Sequence, residues 1–173
     1  NKFPKILERV NLVKKFREKS VKKATQSAAT IPHLFEQIRQ NTLCDFILIP
    51  RVSSERREYV PIGFMDKDCI TNDSSFIIPQ GGLYELGILM SAMHNDWMRI
   101  VCGRLESRYR YSASVVYNCF PWPQVSDKKK QKIIELAEEI LLIREDYPAK
   151  TLAELYDPDH MPEPLRAAHK ALD

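Results

Sequence analysis

The chain has 173 residues, 44% of them apolar, enough for one domain with appendages and too many for a disordered chain. No apolar run approaches the ~18 residues that a bilayer crossing needs, and no signal-like apolar region opens the chain, so a membrane partner is not expected. The net charge of +3 is unevenly placed: residues 1–42 hold ten Lys or Arg against three acids, residues 43–123 eight against nine, and residues 124–173 eight against eleven. A basic block at the front suits a polyanion, and equally a solvated helix face. Cys44, Cys69, Cys102 and Cys119 form no CxxC pair, so no zinc site or disulfide framework is indicated and a reducing cytoplasm is expected. The chain opens on Asn1 rather than Met, which suggests a piece of something longer.

Along the chain, Phe3, Ile6, Leu7, Val10, Val13 and Phe16 recur at helical spacing, which predicts one long basic helix from Phe3 to about Ala29. Thr30-Ile31-Pro32 breaks it, and a short second helix is expected over Leu34–Asn41. Leu43–Pro50, Tyr59–Met65 and Phe76–Pro79 read as strands, the first two joined by the polar turn Val52–Glu58. Leu83–Gly103 reads as a largely buried helix with Gly103 as its C-terminal cap, and Tyr109–Tyr117 as a strand. Phe120-Pro121-Trp122-Pro123 then ends the sheet-bearing unit. Ser126 caps a helix that runs to just before Pro148, Thr151-Leu-Ala-Glu154 is a capping box, and Met161-Pro162-Glu163-Pro164 opens a last helix.

Between the buried helix and the proline corner lies Arg-Leu-Glu-Ser-Arg-Tyr-Arg-Tyr-Ser, residues 104–112. Glu106, Arg108 and Arg110 alternate there and would point the same way on an extended strand. A carboxylate beside a guanidinium is what reading a C·G pair in the major groove requires, since Glu accepts from cytosine N4 while Arg donates a fork to guanine O6 and N7. A solvated strand face with an internal ion pair has the same composition. Arg51, Arg56 and Arg57 frame a Ser-Ser-Glu turn, and Arg99 and Arg104 lie near the end of the buried helix, where they could contact phosphates and fix register.

Catalytic constellations are missing from the pattern. His33, His94, His160 and His169 have no metal-ligand spacing, and His94 reads as a satisfied side chain of the buried helix. The five glycines include no GxGxxG or GxxxxGK[ST] loop. Asn118-Cys-Phe-Pro121-Trp122 superficially matches the loop that amino-methyltransferases use to hold a flipped base, but its spacing is wrong and it reads as a structural corner.

Several blocks together resemble a known family. Pro50–Phe64 (PRVSSERREYVPIGF), Ser91–Trp97 (SAMHNDW), Gly103–Ser112 (GRLESRYRYS), Tyr117–Pro123 (YNCFPWP) and Leu155-Tyr-Asp-Pro158 with Met161-Pro162, Leu165, Ala168-His169 and Leu172-Asp173 occur in the order found in MmeI-like DNA methyltransferases. They are similar to the target-recognition domain and C-terminal helices of that family, and the likeness spans roughly residues 40–173. It implies a parent polypeptide with a SAM-dependent adenine-N6 methyltransferase domain, in some members an endonuclease region as well, directed by this reader. It also implies that Glu106 and Arg108 form a specificity pair for a C·G base pair, with Lys/Asp serving the opposite orientation. Arg110 and the loop Asn72–Ser75, here through Ser74, match further positions that the family uses for neighbouring bases.

The resulting expectation is an α+β chain: a helical spacer over 1–42, a small β-sheet recognition domain with a buried helix over 43–123, and a helical C-terminal region over 124–173. Its partners would be double-stranded DNA and the catalytic methyltransferase domain of the same polypeptide. Glu106, Arg108, Arg110 and Ser74 would read base edges, and Arg51, Arg56, Arg57, Arg99 and Arg104 would hold phosphates. The chain itself is expected to be non-catalytic, with no cofactor or metal of its own and SAM held by the parent. Two alternatives stand beside it: a protein–protein module docking its basic helix on an acidic partner, and an RNA binder. The second lacks a spaced row of stacking aromatics.

Overall fold

In the computed structural model, which describes residues 3–37 and 44–173, helix α1 spans Pro4–Glu18 and stops well short of the expected Ala29. The Ser20 hydroxyl accepts the Lys22 N–H at 3.2 Å, and the Gln26 amide donates to the Ser20 carbonyl at 2.7 Å. Local bonds of this kind compete with the helical ladder and turn the chain. A short helix α2, Lys23–Ser27, and a 3₁₀ turn over Ala28–Thr30 follow. The Arg17 guanidinium then donates to the carbonyls of Ala28, Ile31 and Leu34 at 2.9, 3.0 and 2.8 Å, which fixes residues 31–37 as turns and bends rather than the start of a second helix. The rest of that expected helix, and the expected strand start at Leu43, lie outside the described residues. This segment is one of two compact units, residues 1–39, and residues 40–173 form the other.

The second unit is α+β, as its sequence implies. Strand β1, Phe46–Pro50, is flanked antiparallel by β3, Gly63–Met65, and β4, Ser75–Pro79, with Ile47 facing both Phe64 and Ile78. The chain leaves β1 and, one residue on, enters β2, Val52–Ser53, which belongs to a second small sheet in the order β2-β6-β5. Strands β5, Gly103–Leu105, and β6, Arg108–Arg110, form a hairpin. Ile47, Ile49, Ile62, Leu86, Leu89 and Met98 are buried at 1% exposure or less, so one apolar core lies under the first sheet and the central helices.

Two expected elements take other forms. The helix expected over Leu83–Gly103 is two, α3, Leu83–Met90, and α4, Ala92–Val101, because Ser91 is extended (φ −69°, ψ 159°). Its hydroxyl donates to the Ile88 carbonyl at 2.7 Å, and the Asn95 amide donates to the Ser91 carbonyl at 2.8 Å, so the break is satisfied locally. Gly103 is not a helix cap but the first residue of β5, and no glycine in the described residues has a positive φ. The strand expected over Tyr109–Tyr117 ends at Arg110. Residues Ala113–Tyr117 form a π-helical turn capped by Ser112, whose hydroxyl accepts the Val115 N–H, while the Trp97 indole donates to the Val116 carbonyl at 3.0 Å.

The C-terminal region consists of α5, Asp127–Glu145, α6, Leu152–Leu155, and α7, Glu163–Leu172. The Thr151/Glu154 capping box forms as expected, with the Thr151 N–H donating to Glu154 at 2.8 Å. Helix α5 approaches α3 at Gly87, where an added Cβ would lie 2.7 Å from the Ile133 methyl. From α5 the side chain of Arg144, 9% exposed, donates to the Ile62 carbonyl and to the Tyr156 hydroxyl, each at 3.0 Å. At the far end the Asp173 carboxylate accepts from the Ala92 N–H at 2.7 Å and from the Tyr59 hydroxyl at 2.6 Å, capping α4 from the end of the chain.

Candidate nucleic-acid interface

The β5–β6 hairpin sorts its side chains by register. Gly103 pairs with Arg110, Arg104 with Tyr109 and Leu105 with Arg108, and residues opposite one another share a face. β2 extends the pattern on the other side of β6, with Val52 beside Arg110 and Ser53 beside Tyr109. The face carrying Tyr109 and buried Ser53 turns towards the core, where Tyr109 packs. The other face displays Arg108 and Arg110 to solvent, together with exposed Leu105.

Glu106 departs from the expected strand. It occupies the two-residue turn with Ser107 and has a positive φ of 58°, unusual for a residue with a Cβ. From there its carboxylate accepts from Arg108 Nη2 at 2.7 Å, with the Glu106 side chain 77% and the Arg108 side chain 46% exposed. The charges are therefore adjacent and open to solvent, though it is the tip of a hairpin and not a strand edge that unites them.

Arg51 is the joint between the two sheets. Its N–H donates to the Ser74 carbonyl at 2.9 Å, and its carbonyl accepts the Tyr111 N–H at 2.8 Å. The Asn72–Ser75 loop and the hairpin are thus bonded to the same residue, and Ser74, Arg51 and Arg110 become neighbours although distant in sequence. Asn72 shapes the loop by accepting both the N–H, at 3.0 Å, and the hydroxyl of Ser74. The Arg51 guanidinium lies 4.5 Å over the Phe76 ring.

The remaining arginines are not gathered on this outward face. Arg104 stands opposite Tyr109, with its guanidinium 4.1 Å over that ring and donating to the Ser107 carbonyl at 3.1 Å. Arg56 is exposed and paired with Asp159 at 2.6 Å. Arg57 donates to the Ala153 carbonyl at 3.2 Å, and Arg99 donates to the backbone of Glu58 and pairs with Asp96. The Arg99 guanidinium holds residues 57–58 on α4, and Arg57 reaches the C-terminal region.

The histidines of the core are structural. His94 contacts the Leu89 carbonyl at 3.0 Å and the Tyr111 hydroxyl at 3.1 Å, and burial lowers its pKa to about 4. His169 meets the Tyr156 hydroxyl at 2.6 Å, and burial, with the nearby Arg144 charge, lowers its pKa to about 3. Arg144 donates to that hydroxyl, which leaves the phenol proton for His169 Nε2. The proline corner packs as read, with Phe120 at 4.9 Å from the His94 ring and 5.4 Å from Trp122. Among the described residues no group of three or more His, Cys, Asp or Glu could hold a metal ion, and no helix is long and apolar enough to cross a membrane.

Glu55 escaped the sequence reading. It follows β2 in the Ser-Ser-Glu turn, where the Ser107 side chain of the hairpin tip donates to its carboxylate.

Two family models together cover the whole chain. The target recognition domain of MmeI matches residues 1–124, and the C-terminal domain of MmeI matches residues 125–173. The chain belongs to this family, as a target recognition domain of the MmeI type joined to its C-terminal domain. DNA methyltransferase A of Bacillus subtilis (strain 168) is 44% identical to it over 170 residues, which are 98% of this chain and 19% of that protein. A solved structure of the Type IIL restriction-modification enzyme MmeI in complex with DNA superimposes with a TM-score of 0.91 at 48% identity, over 98% of this chain and 23% of that one. The chain spans about a fifth of the length of these relatives.

Proposed function

We propose that this chain is the sequence-specific double-stranded DNA reader of a restriction-modification type DNA methyltransferase. The observation that carries the reading is the exposed hairpin edge formed by Glu106, Arg108 and Arg110, which the two-sheet joint at Arg51 ties to the loop carrying Ser74. A two-stranded ribbon fits the major groove, and there Glu106 and Arg108 match the acceptor and donor needs of a C·G pair. Arg110 and Ser74 take neighbouring bases. Arg51 and Arg56, exposed at the margins, serve phosphates, and Arg104 lies close to the same backbone track.

Around this reader, residues 1–42 act as a helical spacer to the catalytic domain of the same polypeptide, and residues 124–173 support the recognition domain at 43–123. SAM and the adenine-N6 transfer belong to the part of the protein outside this chain, in the cytoplasm. Support comes from family membership and from the kinds of relatives matched. Sequencing modified bases in cells that carry the whole gene tests the reading. It predicts one short motif with N6-methyladenine, lost when the reading edge is removed. A genome without a new modified motif, and binding by the full-length protein that is indifferent to sequence, would favour the protein–protein module with its basic helix.

A further inference from the structure

We infer that Glu55 is a positioning residue for base readout, a fixed carboxylate at the hairpin tip that biases position 108 towards a cation. The inference rests on the DNA-reading role proposed above. β2 ends at Ser53, which pairs with Tyr109, and two residues further along each strand the Ser107 side chain donates to the Glu55 carboxylate. The Glu55 carboxyl is held below its usual range by its own backbone N–H, then by a bond from the Ser107 side chain, with the Arg104 and Arg108 charges adding to the effect. The turn that presents it is anchored from behind: Arg56 pairs with Asp159 at 2.6 Å, Arg57 donates to the Ala153 carbonyl at 3.2 Å, and Glu58 pairs with Arg166. All three anchors lie in the C-terminal region, so α6, α7 and their connecting loop hold Glu55 in place.

The tip therefore has two carboxylates and one reading guanidinium. Glu106 turns to a base, while the Glu55 carboxylate stays on the protein within electrostatic reach of Arg108. Exchanging the pair, Glu106→Lys with Arg108→Asp, would set the new carboxylate at position 108 against Glu55, like charge against like. Residue 55 thus acts through residue 108, without touching a base.

The test compares four forms of the full-length protein: wild type, Glu55→Gln, Glu106→Lys with Arg108→Asp, and the three changes together. Each competes for two duplexes that differ only by C·G against G·C at the pair read by 106 and 108. The inference predicts that Glu55→Gln lowers the wild-type preference and raises the inverted preference of the swapped form, each by roughly fivefold, the scale of one exposed charge pair. A change of the same sign in both backgrounds, or none in either, overturns it while leaving the reading by residues 106 and 108 intact. A swapped form whose base preference does not move removes that reading, and the role of Glu55 with it.

Discussion

Arg108 donates to Glu106 at 2.7 Å across the tip of a two-residue turn, and both side chains remain open to solvent. An exposed pair of this kind is worth about 0–1 kcal/mol, so exchanging it for a base pair costs little. The pair also holds the guanidinium near the carboxylate before any ligand arrives, which reduces the ordering that binding must supply. An ion pair in the free protein is therefore compatible with readout in the bound one.

Arg110 and Arg51 separate two kinds of contact. Arg110→Ala in the full-length protein should relax discrimination at one base pair by about 1–3 kcal/mol and spare the others. Arg51→Ala should weaken binding to all sequences alike and reduce the salt slope by about one phosphate contact. Binding titrations at several salt concentrations decide between them. Loss of discrimination at a single pair in Arg51→Ala would move that residue into the base-reading set.

Among the described residues Arg144 is the one buried Lys or Arg, and its hydrogen bonds go to two neutral oxygens and the Met90 sulfur rather than to a carboxylate. Arg144→Met keeps the bulk but leaves the Ile62 carbonyl and the Tyr156 hydroxyl without their donor. The expected cost is about 3 kcal/mol, read from urea denaturation. Stability unchanged within about 0.5 kcal/mol, on the scale of a neutral surface change, would show that the donors are not needed.

Acid should destabilise the fold below pH 6.5. His94 and His169 have folded pKa values lowered to about 4 and about 3 by burial, while the unfolded chain takes up the same protons near 6.5. Their stabilising contribution is complete above pH 6.5 and is lost as the pH falls towards 4 and then 3, by about 3 kcal/mol for each histidine at pH 4. Thermal melts between pH 8 and pH 4 should show a plateau followed by a steep fall, with a shallower fall in His94→Gln.

Much of the second unit could be read from residue pattern because its signals are local. The β-branched run at Ile47 and Ile49, the Thr151/Glu154 box and the stripe on α5 each specify one element without help from elsewhere. The misreadings fall where a polar side chain overrides a periodic pattern. Ser20, Ser91 and Ser112 each supply a bond that ends or starts a helix, within stretches whose apolar spacing continues past them. At the interface, the residue types at 106, 108 and 110 were legible, but the turn at Glu106 was not, since alternation is equally compatible with one strand or two. Placing Ser74, Arg51 and Glu55 near the hairpin needs the register between distant strands, which no local pattern carries.

The account depends most on the opposed charges at positions 106 and 108 facing a base pair. Exchanging them, Glu106→Lys with Arg108→Asp in the full-length protein, and sequencing the modified sites in cells tests this directly. The account predicts that one base pair of the methylated motif changes from C·G to G·C while the rest is retained. An unchanged motif with undiminished methylation would contradict it.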